Sequence, residues 1–332
     1  MFDRIVSGSL SLILLVLFSA WTSASAADGK LGDYPSKPIR MIVGNAPGGG
    51  GDILARAIGS KLNDKWGWVV VVENRAGASG AISLQLAASA TPDGYTLYVG
   101  GNQITTATVQ KRVPFDIRTA YTPIVQLTSQ PYLLLVVPSL NVSSVKDLIT
   151  LARNKPASLN YASSGYGTAT HLSTELLKSL VNIDVTHVPY KGIGQALIDM
   201  LGERIHFAFV STLSSAPHLK SGRLRVIAVS SLTRARAFPD LPTVSESGVP
   251  GFELTNAFGL YGPAKVSPAV AAFLNREVSQ VMNSPEMKAR LAAEGTEAVP
   301  PKTPREFQRT FIEQVDKWEK FVKTSGIKVT DK

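Results

Sequence analysis

Cysteine is missing from all 332 residues. No disulfide can staple this fold, no cysteine can carry a lipid at a processing point, and no thiolate zinc pattern exists. Histidine is scarce as well: His171, His187, His206 and His218 stand at no metal-ligand spacing from one another, so no metal site is expected. After the N-terminal segment no apolar run approaches the roughly 20 residues of a spanning helix. Lys and Arg number 34 against 25 Asp and Glu, a net charge of +9, yet no three basic residues are consecutive and none interleave with aromatics. Nucleic acid is therefore not read as a partner, although a mild attraction for anionic solutes follows from the charge. Phosphate-loop chemistry is absent too. The glycines 48–51 lack the Gly-Lys-Ser/Thr ending, and no G-x-G-x-x-G register fits because positions 53 and 54 are Ile and Leu. Gly-x-Ser-x-Gly does not occur either; Gly77-Ala78-Ser79-Gly80 only comes near it. No cofactor is implied.

What is present begins with a leader. Arg4 precedes a nearly unbroken apolar stretch from Leu10 to Trp21, and Ala24-Ser25-Ala26 fits a small-residue cleavage site. Residues 1–26 read as a secretory signal cut near Ala26, which places the mature chain in the periplasm; an uncleaved N-terminal anchor is the alternative. With 44% apolar and 18% charged residues, the remainder is globular and long enough for about two domains.

Short β-branched runs alternate with amphipathic segments, the signature of an α/β fold with largely parallel sheet. Strands are expected at 39–43, 69–72, 96–99, 133–137, 159–162, 185–188, 205–210 and 224–229, with 69–72 fully buried. Helices are expected after Asp52, taken as an N-cap, and at 81–90. Further helices follow Ser144 and run along Leu172, Leu176, Leu177 and Leu180 as an inward face, and over 195–201. Ser267-Pro268, Ser284-Pro285 and the capping box Thr303-Pro304-Arg305-Glu306 start three more. The stripe Phe307, Phe311, Val315, Trp318, Val322 reads as a core face, stopped by Gly326.

Three strand-to-helix loops combine glycine with small hydroxyls or amides: 45–52, 74–83 and 163–170. Glycine lets backbone approach a ligand closely. A helix start leaves about four N–H groups unpaired and carries roughly half a positive charge, so such loops suit anions. Charge-assisted hydrogen bonds of about 1.5–3 kcal/mol each could assemble the roughly 8 kcal/mol of a micromolar complex. Read alone, each loop is also compatible with a plain tight connection. Glu73, at the end of the second strand, leaves a dinucleotide enzyme open, and a periplasmic hydrolase or a ligand sensor also remains open. His171, at the start of a helix, reads as a cap or as a ligand contact.

Five segments together resemble the Bug-type solute receptors of tripartite tricarboxylate transporters. They are 46–56 (Ala-Pro-Gly-Gly-Gly-Gly-Asp-Ile-Leu-Ala-Arg), 72–80 (Val-Glu-Asn-Arg-Ala-Gly-Ala-Ser-Gly), 160–172, 188–192 (Val-Pro-Tyr-Lys-Gly) and 240–248 (Asp-Leu-Pro-Thr-Val-Ser-Glu-Ser-Gly). The likeness spans about residues 35–325. It implies a two-lobed, type II-like periplasmic binding protein fold: mixed sheets flanked by helices, with a hinge and a central cleft. Residues 35–124 with 253–332 would form one lobe and 125–252 the other. It further implies a non-catalytic, monomeric receptor that takes a small carboxylate and meets integral membrane transporter subunits. Carried across, Pro47, Gly48, Gly49, Asp52, Ala78, Ser79 and Gly80 would line one wall, and Ser163, Ser164, Gly167, Thr168 and His171 the other. Asn102 and Thr105 would add polar contacts. Gly51, Ala76, Ala81, Ser83 and Ala257 depart from the family pattern, which bears on the ligand more than on the fold.

Overall fold

A computed structural model describes residue 31, residues 33–327 and residue 329; the expected leader, 1–26, lies outside the described residues. Strand β1 (Ile39–Val43) leads into helix α1 (Gly50–Trp66) and back to β2 (Val70–Asn74). A short 3₁₀ turn, Ala78–Gly80, precedes α2 (Ala81–Ala88), then β3 (Thr96–Gly100), α3 (Asn102–Gln110) and the single-turn α4 (Ile117–Ala120). The long β4 (Tyr121–Val136) follows, then α5 (Val145–Asn154), β5 (Asn160–Ser163), α6 (Ala169–Val181), β6 (Thr186–Pro189) and α7 (Ile193–Leu201). The chain continues through β7 (Phe207–Ser211), α8 (Thr212–Lys220), β8 (Arg225–Val229) and β9 (Thr255–Pro263). It closes with α9 (Pro268–Met282), α10 (Pro285–Ala293) and α11 (Pro304–Ser325).

The strands form two five-strand sets that share β4. The first runs β2-β1-β3-β9-β4, with β1 parallel to both β2 and β3 and β9 antiparallel to β3 and β4. The second runs β6-β5-β7-β4-β8, with β5 parallel to β6 and β7, and β4 antiparallel to β7 and β8. Along β4 the changeover falls at Pro131, which is level with Thr255 of β9, whereas Tyr132 is already level with Ser211 of β7. A proline donates no ladder bond, so one partner can end there and another begin.

Side chains alternate across both sets as the period of 2 demands. Ile39, Met41, Val43, Leu97 and Val99 enter one buried cluster, while Ile42 and Tyr98 enter the one on the opposite face. Likewise Tyr132, Leu134 and Val136 pack with Tyr161 and Phe207, whereas Leu133, Leu135 and Val137 pack with Ala162 and Ala208. Helix α11 serves both sets: Phe307, Phe311 and Val315 join the cluster of Ile42 and Tyr98, and Trp318 joins that of Tyr132 and Leu134.

The structure departs from the sequence reading in several places. Strand β2 is an edge strand, not a buried one, with Val71 51% exposed. Leu180 turns outward, at 45% exposure, because α6 rotates Leu172 and Leu177 inward. Asp52 does not cap α1; the helix begins at Gly50, behind Gly49, so Asp52 sits in its first turn. Helices α3 and α8 and strand β9 were not anticipated. The capping box at Thr303 and Glu306 is present as read. Truncating Phe311→Ala, at 2% exposure, is expected to cost about 3–5 kcal/mol in urea unfolding. Val71→Thr, on the open edge, is expected to stay within about 0.5 kcal/mol; comparable losses would contradict this layering.

Candidate ligand-binding cleft

A cleft lies where the C-terminal ends of the parallel strands from both sets meet. Strand ends of open α/β sheets are where such crevices form. From the first set come Asn45, Gly50 at the start of α1, and Gly101, Asn102 and Gln103 at the start of α3. From the second come Ser164, Thr168, Ala169 and Thr170 around the start of α6, Ile193 of α7, and Ser211 and Ser214 around the start of α8. Tyr132 of β4 and Asn256 and Phe258 of β9 complete the wall.

The helix starts differ in a way that tracks the cleft. Helices α4, α5, α8, α9, α10 and α11 are each closed by a side chain that accepts a first-turn N–H: Asp116, Ser144, Ser211, Ser267, Ser284 and Thr303. Helices α1, α2, α3, α6 and α7 have no such side-chain cap; four of them begin behind glycine and α6 behind Thr168. Four of these five uncapped starts, those of α1, α3, α6 and α7, contribute to the cleft wall. Their first-turn N–H groups therefore lack the usual internal acceptor at the place where a ligand would supply one. No Lys, Arg, Asp or Glu among the described residues lines the cleft. Among the described residues, no cluster of acids and histidines could hold a metal.

Glycine is required here by space. A Cβ on Gly50 would lie 2.9 Å from Phe258 Cζ and 3.0 Å from Ser211 Oγ. The two sides also touch across the cleft. A Cβ on Gly165 would lie 2.5 Å from Ser79 Oγ, and one on Gly194 would lie 3.2 Å from the Pro47 carbonyl oxygen. Ala78 and Ser79 hold φ values of 46° and 55°, a left-handed turn that costs of order 1–3 kcal/mol per residue and presses Ser79 toward Gly165.

The residues nominated from sequence divide into three groups. Asn102, Ser164 and Thr168 line the cleft. Asn102 is fixed by donating from Nδ2 to the Thr255 carbonyl at 2.6 Å, and Thr168 Oγ1 donates to the Gly165 carbonyl at 2.6 Å. Pro47, Gly48, Gly49, Ala78, Ser79 and Gly80 do not line it: the first three follow Asn45 in the loop before α1, and Gly80 packs against Gln103 of the wall. The third group sits behind. Asp52 accepts from Gly48 N at 3.0 Å and from Arg56 Nε at 2.9 Å, which braces the α1 loop. Thr105 Oγ1 donates to the Asn102 carbonyl within α3. Gly167 donates its N–H to His171 Nδ1 at 3.3 Å, and its carbonyl accepts from Gln110 Nε2 at 3.2 Å. Ser163 Oγ lies 2.6 Å from His187 Nε2. That pair resembles a nucleophile and base, but Ser163 is 0% exposed and His187 Nδ1 has no partner. It lacks both access and the third group that orients a triad. Lys191 is exposed and stands off the cleft.

Tyr132, Gln103, Ser211, Ser214, Asn256 and Phe258 were missed. Glycine-rich loops were the search criterion, whereas Tyr132, Asn256 and Phe258 come from strands and Ser211 and Ser214 from a helix start without glycine; Gln103 follows Gly100-Gly101, one residue past the nominated Asn102. The signal that would have found Ser211 and Gln103 is position: each sits at or just after the end of a strand, β7 and β3, that runs parallel to a neighbour.

The model of the tripartite tricarboxylate transporter family receptor matches residues 54–327. The chain belongs to this family. Protein BugT of Bordetella pertussis is 30% identical over 321 residues, covering 96% of this chain and 98% of that protein. Among solved receptors, the adipate-bound Rpa4515 of R. palustris is 34% identical with a TM-score of 0.84, covering 89% of this chain and 99% of that one. Malate-bound MatC from Rhodopseudomonas palustris is 28% identical with a TM-score of 0.82, covering 87% and 100%. The periplasmic binding protein BugD superimposes equally well, at a TM-score of 0.84 with 28% identity over 89% and 99%. The periplasmic-binding-protein fold expected from the sequence is thus the fold of this receptor. The family is one of periplasmic solute receptors and not of enzymes, and among the described residues no helix is long and apolar enough to cross a membrane.

Behind the receptor's α6 loop, the rings of His171 and His187 lie 4.3 Å apart, tilted by 41°, beside Tyr161 and Tyr166. Burial pushes His171 down to about 4 from the ordinary value near 6.5. Burial, with the neighbouring His171 adding to it, pushes His187 down to about 3. Both rings are therefore neutral at pH 7. Below about pH 6.5 the unfolded chain takes up protons that the folded state refuses, so stability is full above that pH and falls as pH drops toward about 4. Urea midpoints at pH 7 and pH 5 are expected to show the loss, and His187→Gln, which keeps a partner for Ser163, is expected to shrink it. An equal drop in the variant would remove this assignment.

Proposed function

We propose that the protein is an extracytoplasmic receptor that captures a small dicarboxylate between two lobes and delivers it to a tripartite membrane transporter. The observation that carries this reading is the set of four uncapped helix starts that contribute to the wall of one cleft, with no lysine or arginine among the described residues lining it. Amide donors and helix dipoles accept negative oxygen without a cationic side chain. At about 1.5–3 kcal/mol per charge-assisted bond, four or five such bonds exceed the roughly 8 kcal/mol of a micromolar complex; ordering and association costs take up the difference. Helix starts on both sides suit a ligand with a carboxylate at each end, and the adipate and malate held by two solved relatives are of that kind. The leader would be removed near Ala26, and the strands β2-β1-β3-β9 would move as one lobe against β6-β5-β7, pivoting where β4 changes partner at Pro131, some residues later than the expected boundary at 124.

Calorimetry against adipate, malate and their diamides tests the reading. Micromolar binding of at least one diacid, with the matching diamide weaker by tenfold or more, is the expected result. Failure of every diacid across a chain-length series would overturn it.

Closure has its own test. Gly194 lies in α7, where replacing glycine favours the helix by up to about 1 kcal/mol, yet a side chain there meets the Pro47 carbonyl across the cleft. Gly194→Leu is expected to leave the ligand-free protein as stable as before or more so, while diacid affinity drops at least tenfold. Unchanged affinity would mean that these two loops do not approach each other in the bound state.

A further inference from the structure

Among the described residues, five amide side chains are buried: Asn102, Gln103, Gln110, Gln130 and Asn256. Three of them are in use. Asn102 donates to the Thr255 carbonyl and accepts from Ala257 N–H at 3.4 Å. Gln110 donates to Thr106 Oγ1 and to the Gly167 carbonyl, and Gln130 accepts from Thr296 Oγ1. Gln103, at 9% exposure, and Asn256, at 3%, have no side-chain hydrogen bond among the described residues. Both line the ligand cleft. Neither amide end is sealed inside the protein, as Gln130 Nε2 is, so both remain open to a molecule in the cleft.

Their placement is local chemistry set against a ligand. Strand β9 lies between β3 and β4, and the period of 2 puts Asn256 on the same face as Phe258. Asparagine is depleted in strands, and a central strand is a poor place for one that bonds to nothing. Gln103 stands in the first turn of α3, beside an uncapped start. Gly101 leaves the room between them: a Cβ there would lie 2.9 Å from Asn256 Oδ1 and 3.1 Å from Phe258 Cε1.

Whichever way an amide is turned, it presents one carbonyl oxygen and one NH₂ group. The NH₂ groups suit a carboxylate, which only accepts. The two oxygens do not, because an ionised dicarboxylate has no donor, and closing the cleft over unmet acceptors is unfavourable. An ammonium group on the ligand would donate, but no Asp or Glu among the described residues lines the cleft to balance it, and helix starts repel cations. A hydroxyl donates without charge and accepts as well. Resting on the diacid reading of the cleft, we propose that Gln103 and Asn256 determine specificity by recognising a hydroxyl carried between the two carboxylates, so that the preferred ligand is a hydroxylated dicarboxylate. Sites built to bond a hydroxyl discriminate strongly against the analogue that lacks it, because their own polar groups are then left unpaired.

Calorimetry compares matched acids at three chain lengths: succinate with malate, glutarate with 2- and 3-hydroxyglutarate, and adipate with 3-hydroxyadipate. At one length or more the hydroxy acid is expected to bind at least tenfold tighter than its parent, with aspartate and glutamate no tighter than succinate and glutarate. Asn256→Leu and Gln103→Met keep side-chain size and remove the amide. Each is expected to lower affinity for the preferred hydroxy acid at least fivefold while its parent stays within threefold, a selective loss that general damage to the wall does not produce. Should Asn256→Leu melt early, Gln103→Met decides alone. Equal affinities at every length, tighter binding of the amino acids, a preference that survives both substitutions, or equal losses for parent and hydroxy acid each overturn the assignment and leave the dicarboxylate reading standing. Binding of no acid in the set overturns both.

Discussion

Backbone N–H groups at a helix start must find an acceptor, and in this protein four of the five starts at the cleft have none from a side chain, α8 with its Ser211 cap being the exception. Helices such as α5, α9, α10 and α11 close themselves with serine or threonine. The starts of α1, α3, α6 and α7 do not, and all four contribute to one cleft. A cap is worth about 1 kcal/mol, so forgoing it at four places is a substantial concession in stability. The residues that replace the cap are mostly glycine, which opens room for another acceptor. On the proposed reading, binding strength in the cleft would come from main-chain donors, and specificity from the amides, hydroxyls and rings around them, among them Asn102, Asn256, Tyr132 and Phe258.

The remaining architecture holds those donors in place. Parallel strands deliver consecutive helix starts to one end of each sheet, and the two sets present those ends to a common cleft. Side chains that look functional by type are often braces: Asp52 ties Gly48 to Arg56, and His171 accepts from Gly167. Their buried positions fit that role, because a loop whose amides must aim at a ligand needs its other polar groups already satisfied.

Much of this was legible in the chain. The apolar runs at 39–43 and 133–137 and the Ser-Pro and Thr-Pro-Arg-Glu helix starts are local patterns, and local patterns survive folding. The glycine clusters pointed to the correct end of the sheets for the same reason. What escaped depended on partners distant in sequence. Strand β9 contains Gly259, Gly262 and Pro263 and reads as a loop, yet it is held by antiparallel pairing to both β3 and β4. Helix α3 carries three threonines and helix α8 an internal Pro217, both poor helix signals by themselves. The start of α1 was placed too late because Gly50 and Gly51 enter the helix. They do so where Gly50 packs against Phe258 and Ser211, neither of which is near it in sequence.

The account stands on main-chain donors of α1 and α6 engaging negative oxygen. Amide proton shifts of Gly50, Ala169 and Thr170, followed while adipate is added to ¹⁵N-labelled protein, report on those donors directly. Downfield movement at helix starts on both sides, saturating together with binding, is the result the account predicts. Binding that leaves these three amides where they were would contradict it, whatever the affinity.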